Sequence, residues 1–213
     1  KASIAAHRHE LIAALDFRAP PDATYPGSVA DVNYGIRWLK ANAARFNTRA
    51  DWVGAMGTSS GAHLAVLAGM KPDDPRYAAI PAPPQATRFD ARAAFAVAMW
   101  PVICPLGRYR YAKKRQAQGN PIQVRTEQIR SQDRYWVTED AMAEGSPVMA
   151  LQRGDKVETP DALYLQNPID DLHPMENLQQ FVAGYRKAGG KLQLEMFEGP
   201  AYDLVRTQPE SPE

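Results

Sequence analysis

The sequence predicts an α/β fold in which a mostly parallel sheet is covered by helices on both faces. Short apolar runs alternate with helical passages, a pattern typical of parallel sheets because a crossover helix joins each strand to the next. The predicted strands are residues 11–17, 52–57, 93–100, 161–166 and 191–197. A length of 213 residues suits one sizeable core, so we predict a single domain over residues 1–213.

Composition favours a small-molecule substrate over nucleic acid or a membrane as the partner. The 25 basic and 24 acidic residues nearly cancel, so the net charge does not call for nucleic acid or an anionic membrane. No apolar run approaches the ~20 residues of a membrane span. The single cysteine, Cys104, excludes an internal disulfide and fits a reducing, cytoplasmic setting. We expect a small-molecule substrate and no cofactor, and no metal site, since no two histidines or carboxylates have ligand spacing in a plausible pocket.

The amino-terminal third reads as helix, strand, loop and helix. Residues 2–10 are predicted to end a helix, and residues 11–17 to form a buried strand that leads into a proline-rich loop over 18–26. Ser28 is expected to cap a helix that runs to about Phe46. Its apolar face is formed by Val29, Val32, Ile36 and Leu39.

The most informative stretch is Gly57-Thr58-Ser59-Ser60-Gly61, which joins a predicted strand at 52–57 to a helix of small residues. G-x-S-x-G in this context predicts a nucleophile elbow, a turn so tight that Ser59 is strained and its hydroxyl stands clear of the sheet. Side chains at positions 57 and 61 should collide with strand and helix. The N–H of Ser60 would then lie where a developing oxyanion can be held. An ordinary glycine-rich turn is the alternative.

The middle of the chain carries a local excess of positive charge. After the strand at 93–100, residues 107–134 contain eight basic and two acidic residues. One interpretation is a solvated helical face. The other is that residues 107–146 form a lid or cap insertion that attracts an acidic substrate or a carboxylate product.

Strand and helix alternate again towards the carboxyl terminus. The strand at 161–166 is followed by a polar loop, and a helix is predicted from Pro174 to Ala188 because Gly189-Gly190 is a usual stop signal. The last strand, 191–197, has the alternating pattern of an edge strand.

With these elements in place, the chain resembles the α/β-hydrolase superfamily, and within it the esterase and lipase branch related to hormone-sensitive lipase. The matching phrases are Leu15–Pro26, the elbow at 57–61, and Leu165-Gln-Asn-Pro-Ile-Asp-Asp-Leu-His-Pro174. The resemblance implies an α/β-hydrolase fold with Ser59 as nucleophile and Asp170 as triad acid. Asp171 lies one residue after the position of the family's triad acid, and Asn167 lies where the family usually has glycine.

Two features depart from that family. Its general base is a histidine in the loop after the last strand, where this chain has Phe197-Glu-Gly-Pro-Ala-Tyr202. A phenol with a pKa near ~10 accepts a serine proton poorly, whereas imidazole near ~6.5 is well matched. Of the four histidines, His173 is the candidate substitute base, because it lies in the loop that carries Asp170, called the acid loop below. His63 is expected to be packed in the core.

The family's HGGG-type loop, which completes its oxyanion hole, would precede Lys1. Either residues outside this sequence supply it, from an upstream segment, a homo-oligomer or a second chain, or the chain is not a competent esterase as it stands. Three functions stay open: a serine hydrolase acting on a carboxylic ester, a non-hydrolytic binding protein of the same fold, and an enzyme that uses Tyr202 as a proton donor without an acyl-enzyme.

Overall fold

A computed structural model describes residues 2–7, 10–119 and 122–198. Within these ranges the strands are β1 (Ala2–His7), β2 (Glu10–Leu15), β3 (Ala55–Thr58), β4 (Phe95–Met99), β5 (Asp161–Gln166) and β6 (Leu192–Met196). The helices are α1 (Gly27–Asn42), α2 (Ser59–Met70), α3 (Pro105–Ala117), α4 (Ile122–Trp136), α5 (Glu139–Glu144), α6 (Pro147–Arg153) and α7 (Met175–Lys187). The order confirms the predicted alternation of strand and helix from β3 onwards.

The main sheet is parallel and has the strand order β3-β4-β5-β6. Gly57 pairs with Ala98, Ala98 with Tyr164, and Tyr164 with Leu194, so the strands are in register across the sheet. Because the strands are parallel, their carboxyl ends lie at one edge. That edge holds Ser59, which follows β3, and the loop that follows β5.

The amino-terminal prediction was wrong in two respects. Residues 2–7, expected to end a helix, form β1, and β1 pairs antiparallel with β2, Ala2 opposite Leu15. This pair is a separate two-stranded sheet, so the strand expected at 11–17 does not join the parallel sheet among the described residues. Alanine favours helix in isolation, but the pairing of the two strands overrides that weak preference.

β3 also differs from the buried strand expected at 52–57. Ala50–Trp52 form a short 3-10 helix, and the strand begins only at Ala55. Trp52 and Met56 are 60% and 58% exposed. The reason is that β3 is the first strand of the sheet as described and has a paired neighbour on one side only.

α1 begins two residues earlier than expected and is capped differently. Its first residue is Gly27, and no side chain caps it. The Ser28 hydroxyl instead donates a hydrogen bond to the carbonyl of Arg18, which fixes the preceding loop. The helix ends at Asn42, and a 3-10 helix, Ala43–Phe46, completes the predicted span.

α2 is the central helix of the molecule, and all its residues from Ala62 to Met70 are buried. One side packs on the sheet and α7, in a cluster that includes Val66, Tyr164 and Phe181. The other side packs on α1 through Leu67 and Val29. A helix that is apolar all round is expected in such a position.

α3, α4 and α5 occupy most of the candidate lid and have their own small core of Leu106, Tyr109, Trp136 and Met142. The end of α5 is tied to the rest of the molecule through Glu144, which accepts hydrogen bonds from Arg76 Nη2 at 2.6 Å and from the Tyr25 hydroxyl. The division into body and lid stays a prediction.

None of the helices in the described part of the chain has the length and apolarity needed to cross a lipid bilayer.

Candidate active site

Ser59 lies at the junction of β3 and α2, as the sequence predicts. Its φ angle is +49°, in the left-handed region that residues other than glycine rarely adopt. Such backbone strain persists only where the surrounding structure imposes it. The carbonyl of Ser59 accepts a hydrogen bond from the N–H of Val102 at 3.2 Å, and the residue is half-buried. Ser59 therefore has the backbone conformation that a nucleophile elbow requires, while its chemical role stays a prediction.

The two flanking glycines have different reasons to be there. A Cβ at Gly57 would lie 2.5 Å from the carbonyl carbon of Gly61, a distance that real Cβ atoms do not tolerate. A Cβ at Gly61 would have nothing within 4 Å, so the predicted collision at position 61 is wrong. The turn is tight on the strand side, because the chain at Gly57 passes directly under the first turn of α2.

Ser60 is the second residue of α2 and is exposed. The first four N–H groups of a helix have no intrahelical acceptor, and they carry the positive end of its dipole. The Ser60 N–H can therefore face a ligand oxygen at this end of α2. Its role as an oxyanion donor stays a prediction.

Asp170 lies in the loop after β5 and is held by four hydrogen bonds. One carboxylate oxygen accepts the N–H groups of Leu172 at 2.8 Å and His173 at 3.0 Å. The other accepts His173 Nδ1–H at 2.7 Å and Gln166 Nε2 at 2.9 Å. These bonds, three from the loop and one from the end of β5, fix the orientation of the carboxylate relative to the loop.

The protonation states of the pair follow from its surroundings. Burial alone would raise the pKa of Asp170, but the hydrogen bonds from His173, Leu172 and Gln166 hold it below its usual value. Burial lowers the pKa of His173, helped by the charge of Arg108 and opposed by Asp170. At neutral pH Asp170 is thus ionised and His173 neutral, and the hydrogen bond assigns the histidine proton to Nδ1.

His173 Nε2, which is left as the basic nitrogen, is buried and has no hydrogen-bond partner among the described residues. It lines a cavity of about 10 Å³ together with Val102, Cys104, Arg108 and Asn177. That volume admits about one water molecule at most. No hydrogen bond in the described part of the chain joins Ser59 to Asp170 or His173; the segment around Val102, which contacts Ser59, also lines this cavity.

A larger groove of about 600 Å³ lies elsewhere. It is lined by the amino ends of β4, β5 and β6, including Phe95, Asp161 and Lys191. Ser59 follows the carboxyl end of β3, so this groove is at the opposite edge of the sheet and does not belong to the candidate site.

Tyr202, which stands in the usual histidine position, lies outside the described residues. The loop that leads to it begins at the expected edge. The N–H of Phe197 donates to the carbonyl of Gln166 at 3.1 Å, and its ring packs on Trp100, with 5.9 Å between the centroids.

His63 is a packed residue, as expected. It is 2% exposed, its Nε2 donates to the carbonyl of Gly145 at 2.8 Å, and its ring packs on Trp136. Burial lowers its pKa to about 4, so it is neutral near pH 7. The described residues contain no group of three or more metal-ligating side chains.

The sequence did not identify two arginines that lie beside the acid loop. Arg108 and Arg125 belong to the basic stretch at 107–134, interpreted as a solvated face or a substrate-attracting lid. Arg125 is 0% exposed, and burial lowers the pKa of Arg108 to about 10. Neither interpretation fits these two residues. The available signal was the charge excess itself, but it did not show which arginines turn inward.

Comparison with known proteins finds sequence similarity to esterases. The BD-FAE family model matches residues 5–98, which include β3 and the turn at Ser59. Esterase LipC of Mycobacterium tuberculosis is 26% identical over 175 residues, covering 81% of this chain and 39% of LipC. The probable carboxylic ester hydrolase LipM of the same organism is 33% identical over 67 residues, covering 32% of this chain and 16% of LipM.

Solved structures give the same fold. An acetyl ester-xyloside bifunctional hydrolase from Caldicellulosiruptor lactoaceticus has a TM-score of 0.61 at 19% identity, covering 93% of this chain and 66% of that chain. Native esterase Est2 from Thermogutta terrifontis also has a TM-score of 0.61, at 25% identity, covering 89% of this chain and 60% of Est2. The chain thus spans less than two thirds of these relatives.

Proposed function

Because this chain has an α/β-hydrolase fold and resembles esterases in sequence, we propose that it hydrolyses a carboxylic ester and uses Ser59 as the nucleophile. The observation that carries the proposal is the φ angle of +49° at Ser59, between a parallel strand and a buried helix. A strained serine at this point presents its hydroxyl at the carboxyl edge of the sheet. The esterases LipC and Est2 resemble the chain over most of its length.

The proposed reaction is acyl transfer through a covalent intermediate. Ser59 Oγ attacks the ester carbonyl while a base takes its proton, and the Ser60 N–H stabilises the oxyanion. The alcohol leaves with that proton, and water then releases the acid from Ser59. Asp170 orients the base, which is His173 or a group from the loop that carries Tyr202.

Labelling with a fluorophosphonate probe tests the nucleophile. The probe phosphonylates an activated serine, so we expect the wild-type protein to be labelled and Ser59→Ala to lose both labelling and hydrolysis of a short-chain aryl ester. Ser60→Ala is the matched control, because it keeps the backbone N–H and should still be labelled. Equal labelling of the wild type and Ser59→Ala would exclude Ser59 as the nucleophile.

The acid is tested by comparing neighbouring carboxylates. Asp170→Asn should lower kcat by about 10⁴-fold, because the amide no longer orients and stabilises a protonated base. Asp171→Asn should have a much smaller effect, since in our assignment Asp171 does not contact the base. A larger loss in Asp171→Asn than in Asp170→Asn would show that the acid is misassigned.

A further inference from the structure

α4 reaches the acid loop, residues 167–173, with a fully buried guanidinium. Arg125 Nη2 donates to the Asp171 carboxylate, and Nη1 donates to Gln128 Oε1 at 2.9 Å. The guanidinium lies over the ring of Tyr111, 5.5 Å from its centroid, and the Tyr111 hydroxyl donates to Asp171 at 2.9 Å. Helix α3, through Tyr111, and helix α4, through Arg125, therefore both bind the Asp171 side chain.

A second arginine makes the same connection one residue later. Arg108 Nε donates to the carbonyl of Leu172 at 3.1 Å, and its Nη1 donates to Gln132 Oε1 at 3.0 Å. Gln132 in turn donates to the carbonyl of Pro105 at 2.9 Å. The acid loop, α3 and α4 are therefore joined by one hydrogen-bonded network.

Stability alone does not account for a buried arginine at position 125. Removing a guanidinium from water is costly, and apolar side chains of similar volume commonly replace buried ion pairs without loss of stability. The Asp171 side chain is 51% exposed and also contacts Tyr111 and Arg115, so it would stay hydrated and partnered without Arg125. What the ion pair supplies is a fixed position for the residue next to Asp170.

We propose that Arg125 is a positioning residue that fixes the acid loop through Asp171 and so sets the location of the Asp170 carboxylate. The inference rests on the proposed function, in which Asp170 orients the base. It also assigns a role to part of the basic stretch. Because Arg125 is 0% exposed, its charge acts on the loop and does not attract substrate.

The kinetic test uses Arg125→Met, Asp171→Asn and the double variant on the full chain. A small displacement of a positioned group lowers turnover by up to about 10²-fold, so each single variant should lower kcat by about 10- to 100-fold, with KM within about twofold. The double variant should be no worse than Asp171→Asn alone, because Asp171→Asn already weakens every contact of that carboxylate, with Tyr111, Arg115 and Arg125. Arg130→Ala is the control, since Arg130 lies on α4, is exposed and pairs only with Glu127 among the described residues.

Three kinetic results would overturn the proposal: unchanged kcat in folded Arg125→Met, a rise in KM with kcat unchanged, or losses that add in the double variant. Asp171→Asn alters a half-exposed side chain, so it tests the contact even if Arg125→Met does not fold.

Amide hydrogen exchange separates this proposal from the proposed function. Exchange over residues 167–173 should become faster in Arg125→Met and Asp171→Asn but not in Arg130→Ala. If Ser59 is not labelled and no ester is hydrolysed, the proposed function fails, while faster exchange still supports the role of Arg125 in fixing the acid loop. Unchanged exchange in both variants would refute that role whether or not the protein is active.

Discussion

At Gly57 the backbone of β3 runs so close to the first turn of α2 that a single methyl group has no room. The nearest atoms belong to the backbone of Gly61 and Ala62, 2.5–2.7 Å from the position a Cβ would take. Backbone atoms cannot rotate away as a side chain can. One glycine therefore determines whether Ser59 can adopt its unusual conformation.

Gly57→Ala should lower the free energy of unfolding by about 1–3 kcal/mol, because the methyl group forces strand and helix apart. Activity should fall with it, as Ser59 moves. Gly61→Ala is the matched substitution, and urea unfolding should show a change of less than about 1 kcal/mol, since the site is open and alanine favours helix. Similar losses at both positions would contradict the geometry of the turn.

His63 makes the stability depend on pH. Its pKa is about 4 in the folded protein, because burial disfavours the imidazolium, against about 6.5 when unfolded. As the pH falls, His63 binds a proton in the unfolded chain before it does so in the folded protein. The stabilisation that depends on neutral His63 is therefore complete above about pH 6.5 and is lost as the pH falls towards 4. Urea unfolding at pH 7 and 4.5 should show that the wild type loses about 2–3 kcal/mol more than His63→Gln. Glutamine keeps a donor for Gly145 but does not titrate; the same pH dependence in both proteins would exclude His63 as the cause.

At the scale of elements, the last residue of α5 adds polar contacts to the apolar packing of that helix on α3 and α4. Glu144 contacts Arg76 and Tyr25, and Tyr25 also shares a hydrogen bond of 2.6 Å with the Tyr77 hydroxyl. Tyr77 is fully buried, whereas the Glu144 and Arg76 side chains are 33% and 47% exposed. The hydrogen bond from the partly buried Tyr25 hydroxyl to the charged Glu144 is therefore worth more than a contact within an exposed surface ion pair.

Glu144→Gln should lower the free energy of unfolding by about 1–3 kcal/mol, because Arg76 and Tyr25 lose a charged acceptor. Glu127→Gln changes an exposed pair with Arg130 and should shift stability by no more than about 0.5 kcal/mol. Thermal or urea unfolding of the two variants gives the comparison. Equal effects would mean that the contacts of Glu144 do not fix α5.

Sequence patterns predicted the elements unevenly, and the reasons are physical. The strand at 161–166 was predicted with its observed bounds, because a short apolar run between turn residues leaves little choice. Alanine-rich residues 2–7 were misassigned, since alanine is compatible with helix and with a paired strand. Ser59 could be located from local spacing, whereas the burial of Arg125 depends on how α3, α4 and the acid loop pack, which no local pattern reveals.

At the scale of the whole molecule, the candidate site is assembled from segments far apart in the chain. Ser59 follows β3, Asp170 follows β5, and the loop after β6 begins at Phe197 beside Trp100. The parallel sheet brings these three connections to one edge. The third is where a base is expected, and there the sequence supplies Tyr202.

Tyr202→His should therefore raise kcat/KM on a short-chain aryl ester, by about 10²-fold or more, because a positioned imidazole accepts the Ser59 proton far better than a phenol does. Tyr202→Phe is the control and should give no gain. His173→Ala should change the activity little unless His173 is the working base, in which case activity is lost. No gain in a folded Tyr202→His protein would show that the last loop is misaligned.

Because four hydrogen bonds hold Asp170, its carboxylate is already ordered before any substrate binds. The rotational freedom of the carboxylate is lost once, when the loop folds, and not at each turnover. A base that docks against Asp170 meets an acceptor whose two oxygens already face fixed directions, so little reorganisation is left for the reaction step. The same saturation limits what can be redesigned. An additional donor would have to displace His173, Gln166 or a backbone N–H, so a base introduced in the loop after β6 has to compete with these donors for the carboxylate.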